Sequence, residues 1–103
     1  MSLKKQFLKS KPICKVTFRL SKEDVAGASS VKLMGSFTGW EINAVDMTRL
    51  KSGEFTATVS LPSNESFEYR YLLDDSSWIN DPAADGYNPN RMGTENSVVT
   101  TYA

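Results

Sequence analysis

The stretch Gly53–Asp75, GEFTATVSLPSNESFEYRYLLDD, decides the fold class. Phe55, Ala57, Val59 and Leu61 alternate with Glu54, Thr56, Thr58 and Ser60. A side chain on the same face at every second position is the period of a half-buried strand. Pro62–Ser66 breaks the pattern as a turn. Phe67, Tyr69, Tyr71 and Leu73 then follow on one face, with Glu68, Arg70 and Leu72 on the other.

Outward from this stretch the same period recurs. Cys14, Val16, Phe18 and Leu20 alternate with Lys15, Thr17, Arg19 and Ser21, which predicts a strand. Residues 21–30, SKEDVAGASS, are polar and small and read as a loop. Val31–Phe37 is the next strand, with Val31, Leu33 and Phe37 inward and Lys32, Met34 and Ser36 outward. It breaks at Gly39 and leaves Trp40 at the tip of a turn, where the indole either folds onto the core or stands out as a platform. MTRL, residues 47–50, is a short edge segment, and Lys51–Glu54 turns the chain because Gly53 permits a positive φ.

Asp74–Ser77 turns again, Trp78 and Ile79 start a short strand, and Asp81-Pro82 ends it. Ala83–Gly93 is a loop on composition, and Ser97–Tyr102 is a β-branched final strand. No stretch shows helical periodicity. Short alternating strands punctuated by turns indicate an antiparallel β-sandwich. Residues 1–11 are expected to form a flexible or briefly helical lead-in, and 12–103 a single domain.

Composition narrows the function. The chain has 103 residues, 40% hydrophobic and 11% aromatic, enough to bury one core. Lysine plus arginine and aspartate plus glutamate each total 12, and this balance argues against nucleic acid or an anionic membrane as partner. One cysteine, Cys14, excludes a disulfide framework. No apolar run is long enough for a signal peptide or a membrane span, so a cytoplasmic location is expected. There is no histidine, the commonest general base and metal ligand, and no metal or cofactor site is recognisable.

Catalytic patterns are correspondingly scarce. Asp74 and Asp75 are adjacent in a turn, whereas glycosidase carboxylates flank a cleft from different elements. Aspartates beside serines there are turn formers. A binding surface suits the remaining residues better. Trp40 and Trp78 both adjoin turns, and a flat indole can cover the C–H face of a sugar ring. Arg70 points outward and can donate to hydroxyls, while Asn96 offers both donor and acceptor. Singly, each has a plainer explanation. A lone tryptophan is more often partly core, Arg70 a solvated charge, Met92 loop packing and Asn96 a strand-entry residue.

Taken in order, VKLMGSFTGWE, MTRL, GEFTATVSLP, FEYRYLLDD, WINDP and MGTENSVV resemble family 48 carbohydrate-binding modules. That family includes the early-set N-terminal domains of isoamylase and glycogen branching enzymes and the glycogen-binding domain of the AMP-activated protein kinase β subunit. The resemblance runs from about Val31 to the C-terminus. It implies an all-β, immunoglobulin-like early-set sandwich that binds α-1,4-linked glucan chains, as in glycogen, starch and maltooligosaccharides, without catalysis. Trp40 and Trp78 match the family's stacking tryptophans. Arg70 stands where a lysine bonds sugar hydroxyls, and Met92 replaces a leucine beside the bound sugar. Thr94 and Asn96 match residues that contact hydroxyls. The hairpin before Trp78, DDSS, is one residue longer than the family's usual turn. A stand-alone module is expected. The alternative is an early-set interaction module that docks a glycogen-metabolism enzyme without strong sugar binding of its own.

Overall fold

The computed structural model describes residues 3–90 and 93–102. Its strands are β1 Leu3–Phe7, β2 Ile13–Leu20, β3 Val31–Gly35, β4 Val45–Asp46, β5 Thr48–Arg49, β6 Phe55–Pro62, β7 Ser66–Leu73, β8 Ser77–Ile79, β9 Gly86–Pro89 and β10 Glu95–Thr100. They form two sheets, ordered β1-β2-β6-β5 and β4-β3-β7-β10-β9, with β8 added to β7. Every pairing is antiparallel. The described residues contain no helix long and apolar enough to cross a membrane.

The alternating residues become the facing layers of a sandwich. Cys14, Val16, Phe18 and Leu20 of β2 meet Leu33 of β3, Tyr69 and Tyr71 of β7 and Val99 of β10, all fully buried. Phe18 packs edge-on against Tyr69 at 5.0 Å and stacks on Phe37 at 5.8 Å, so aromatic area fills the centre. The chain crosses from one sheet to the other between β6 and β7, and Thr101 pins the crossing. Its hydroxyl donates to the Pro62 carbonyl (2.7 Å) and accepts from the Glu65 amide (3.1 Å), while its own carbonyl accepts from the Asn64 amide (2.7 Å).

Several local expectations change. Leu3–Phe7, expected within a flexible or briefly helical lead-in, is a strand paired with β2 from Leu3↔Phe18 to Phe7↔Cys14. Its own pattern is too short to announce a strand, and the open backbone edge of β2 supplies the hydrogen bonds. Met34 alternates outward as predicted, directly opposite Arg70, but is buried. Within Ala83–Gly93, Gly86–Pro89 is a strand along β10, formed without β-branched residues because the neighbouring ladder overrides propensity. The final strand runs Glu95–Thr100, somewhat earlier than predicted.

Lys5 closes the edge between the sheets. It sits opposite Val16, on the inward side of β1, and its ammonium donates to Asp85 Oδ2 at 2.7 Å. The same oxygen accepts from the Thr100 amide at 2.8 Å, so β1 of one sheet is tied to β10 of the other. An inward-pointing charge at a sheet edge also discourages edge-to-edge association. Partial burial works to raise the Asp85 pKa, but the Lys5 and Thr100 hydrogen bonds outweigh it and hold the carboxyl below its usual range. A carboxyl with a lowered folded pKa stabilises the fold above its ordinary pKa, and that contribution is lost as pH falls through the folded value. Lys5→Ala is therefore expected to lower the urea midpoint near neutral pH by the equivalent of about 1 kcal/mol or less. The gap to wild type should narrow below about pH 4. A pH-independent gap in denaturation curves would mean that β1 is held by packing alone.

Candidate functional site

Trp40 owes its place to a turn that the sequence builds tightly. Gly35 ends β3 where a Cβ would lie 2.5 Å from the Glu68 carbonyl oxygen, a distance that no larger residue tolerates. The buried Thr38 hydroxyl accepts from the Gly35 amide (3.1 Å) and lies within donating distance of the carbonyls of Gly35 (3.0 Å) and Trp40 (2.8 Å). The Trp40 amide donates back to the Gly35 carbonyl at 2.9 Å. Gly39 and Trp40 both take left-handed conformations, with φ of 68° and 60°. For a tryptophan this costs roughly 1 kcal/mol or more, which the surrounding hydrogen bonds offset. The indole is half-buried.

The second wall comes from the sheet itself. Leu72 lies opposite Trp78 across β7 and β8, and residues opposite each other share a face. Arg70, two residues along, shares it too. Its guanidinium carbon lies 5.6 Å from the centroid of the Trp78 ring, a cation–π contact. Trp78 remains 41% exposed. Arg70 Nε is buried and has no hydrogen-bond partner among the described residues.

A chain of polar side chains completes the floor. Asn96 donates from Nδ2 to Glu68 Oε1 (2.9 Å) and accepts on Oδ1 from Asn90 Nδ2 (3.1 Å). Asn90 also exchanges bonds with Thr94: its Nδ2 lies 2.8 Å from the Thr94 hydroxyl, and its Oδ1 accepts from the Thr94 amide at 3.2 Å. The backbone of the same turn closes with the Asn90 amide donating to the Thr94 carbonyl at 2.9 Å. The Asn96 amide is thus already engaged on both sides, with one N–H and one lone pair to spare.

Trp40, Arg70, Trp78, Thr94 and Asn96 line one cavity of about 570 Å³ together with Glu41 and Asn90. Met92, the remaining candidate from the sequence, lies outside the described residues. Glu41 and Asn90 were not singled out from the sequence. Glu41 directly follows Trp40, and Asn90 closes the triplet Asn88-Pro89-Asn90 before the MGTEN block, which is the only signal either offers. The cavity presents flat aromatic surface beside amide, hydroxyl, guanidinium and carboxyl groups. Among the described residues no group of three or more His, Cys, Asp or Glu side chains could hold a metal ion.

Behind the cavity, Asp81 is fully buried. Its Oδ2 accepts from the hydroxyls of Tyr69 (2.7 Å) and Tyr71 (3.2 Å), and its amide donates to Ser97 Oγ at 2.8 Å. Ser97 Oγ in turn donates to Asn80 Oδ1 (2.8 Å), and Asn80 Nδ2 donates to the Glu95 carbonyl (2.8 Å). Burial, followed by the neighbouring Tyr71 and Asp81, pushes the Tyr69 hydroxyl far above its usual pKa. Burial and Asp81 do the same to Tyr71, so both stay protonated donors. The sequence marks Asp81 only as the end of a strand. In the fold it locks the segment carrying Trp78 to the strand carrying Asn96.

A family model described as the glycogen recognition site of AMP-activated protein kinase matches residues 18–102, and the chain belongs to that family. It is a carbohydrate-binding module built as an all-β sandwich. No curated protein matches the chain. Among solved structures, the enterobactin esterase FES from Shigella flexneri, in the presence of 2,3-di-hydroxy-N-benzoyl-serine, is similar at TM-score 0.73 and 15% identity. The match covers 97% of this chain and 32% of that one. The same esterase in the presence of enterobactin gives 0.72 at 14% identity, covering 97% and 33%. A putative alpha amylase from Salmonella typhimurium gives 0.59 at 22%, covering 96% and 15%. The chain therefore spans about a third or less of these proteins, and likeness at such identities shows the fold alone.

The Asp81 arrangement predicts a large effect. Asp81→Ala leaves two buried tyrosine hydroxyls without their acceptor, at about 1–3 kcal/mol each. Chemical denaturation should show a loss of roughly 2–5 kcal/mol, and Trp78 emission should shift as β8 loosens. A variant of near wild-type stability would mean the hydroxyls find other partners.

Proposed function

We propose that this domain binds α-1,4-linked glucan chains, such as glycogen, starch or maltooligosaccharides, and does so without catalysis. The observation that carries the reading is the meeting of Trp40, Arg70, Trp78, Thr94 and Asn96 on one cavity in a member of a glycogen-recognition family. Each indole offers a flat apolar face for a glucose ring, and the ring hydroxyls stay near polar groups. Arg70 lines the cavity, and its guanidinium carries further N–H donors for ring hydroxyls. Met92, through its match to the family's leucine, adds an apolar contact to the same sugar. A shallow single site of this kind binds weakly, and a polymer with many chain ends compensates by avidity.

A second reading is an early-set interaction module that docks a glycogen-metabolism enzyme without strong sugar binding of its own. Ile42, 83% exposed on the turn beside Trp40, favours it as apolar surface that the cavity does not use.

Trp40→Ala is expected to weaken maltoheptaose binding about thirtyfold or more, because a central aromatic anchor contributes about 2 kcal/mol or more. Intrinsic tryptophan fluorescence reads the titration, and retardation in a glycogen-containing native gel should disappear. Trp78→Ala should do likewise with the denaturation midpoint little changed, since Trp78 is exposed. Wild-type protein that neither titrates nor is retarded would overturn the glucan reading. A stoichiometric enzyme partner retained by Trp40→Ala would then favour the second.

A further inference from the structure

Glu68, which does not line the cavity, and Asn90, which does, bracket Asn96. An asparagine amide can present either its oxygen or its nitrogen in a given direction, and the two ends are nearly the same shape. What fixes the sense is the partner. Glu68 Oε1 lies 2.9 Å from the Asn96 amide, and a carboxylate only accepts, so Asn96 must turn Nδ2 towards it. Asn96 Oδ1 then faces Asn90, which must answer with its own Nδ2, at 3.1 Å. That leaves Asn90 Oδ1 to accept from the Thr94 amide at 3.2 Å. The Thr94 amide can only donate, so the far end of the chain demands the same sense as the near end. One carboxylate and one backbone amide, both unambiguous, thereby orient two ambiguous side chains between them.

We infer that Glu68 and Asn90 are positioning residues that set the hydrogen-bonding sense of Asn96 towards a sugar. This rests on the glucan reading and deepens it. With the sense fixed, Asn96 offers its spare N–H on the Glu68 side and its spare lone pair on the Asn90 side. Of two neighbouring hydroxyls, the one nearer Nδ2 then accepts and the one nearer Oδ1 donates. Glu68 is the sharper of the two, because it orients Asn96 from β7 without lining the cavity.

The test uses Glu68→Gln, which keeps the shape but can donate or accept, with Asn90→Ala as the second variant should the first fold poorly. The full chain is labelled with ¹⁵N, and the Asn96 side-chain amide signal is identified by its loss in Asn96→Asp. Glu68→Gln should shift or double that signal while leaving the denaturation midpoint unchanged, and should weaken maltoheptaose binding about tenfold, one hydrogen bond to a charged group. Asn90→Ala should weaken binding to a similar extent. An Asn96 signal unmoved by Glu68→Gln overturns the orienting role. A moved signal with unchanged maltoheptaose affinity overturns the link to sugar. If wild type binds no maltoheptaose, the glucan reading fails together with the positioning role, whereas wild-type binding unaffected by either variant sinks this inference alone.

Discussion

The buried carboxyl of Asp81 is the constraint on which the site depends. Burying such a group in an aromatic core is costly unless its oxygens are matched by donors. Here the donors are two tyrosine hydroxyls from β7 on Oδ2, both kept protonated by burial, and the Ala83 amide on Oδ1. The arrangement satisfies the carboxylate and all three of these donors together. Its geometric effect matters as much as its energy. Asp81 follows β8, and its amide and its neighbour Asn80 are both tied to Ser97 on β10. A short three-residue strand, weak alone, is thereby fixed to the central strands of its sheet.

The two tryptophans are positioned by opposite means. Trp78 is placed by a ladder: its register opposite Leu72 puts it on the outer face, and the Asp81 cluster secures the strand that carries it. Trp40 is placed by a strained turn in which two successive residues take positive φ and a buried threonine hydroxyl holds the carbonyls. Strain of this kind persists only where the surroundings over-determine it, and Gly35, Thr38 and the Glu68 carbonyl do so here. Both aromatic walls are therefore set before any ligand arrives. That reduces the ordering cost of binding.

Much of this was legible in the sequence, for a physical reason. Alternation with a period of two is a local property, and β2, β3, β6 and β7 announce themselves through Val16, Leu33, Phe55 and Tyr69 and their neighbours. The order of the blocks from VKLMGSFTGWE to MGTENSVV identified the family, and the family model over residues 18–102 agrees. What escaped were features created by distant partners. β1 and β9 are strands because an open ladder edge lies beside them, not because of their own residues. Asn90 and Glu68 gain meaning only once Asn96 lies between them, and Asp81 looks like any strand-ending aspartate until two tyrosines from ten and twelve residues earlier meet it.

The shared scaffold explains why the site, and not the fold, must carry the functional argument. Esterase and amylase structures superpose on nearly the whole chain at 14–22% identity, so the sandwich itself discriminates nothing. In β7 a period of two lets one strand serve both core and cavity. Tyr69 and Tyr71 face inward and bind Asp81, while Glu68 and Arg70 face outward towards Asn96 and Trp78. Each inward residue is flanked by outward ones, so rigidity of the core is transmitted to the site over a single Cα–Cα step of about 3.8 Å. A register slip of one residue would exchange the two sets, burying Glu68 and Arg70 and exposing both tyrosines. The cost of that exchange is what keeps the strand, and with it the cavity-lining surface, in one arrangement.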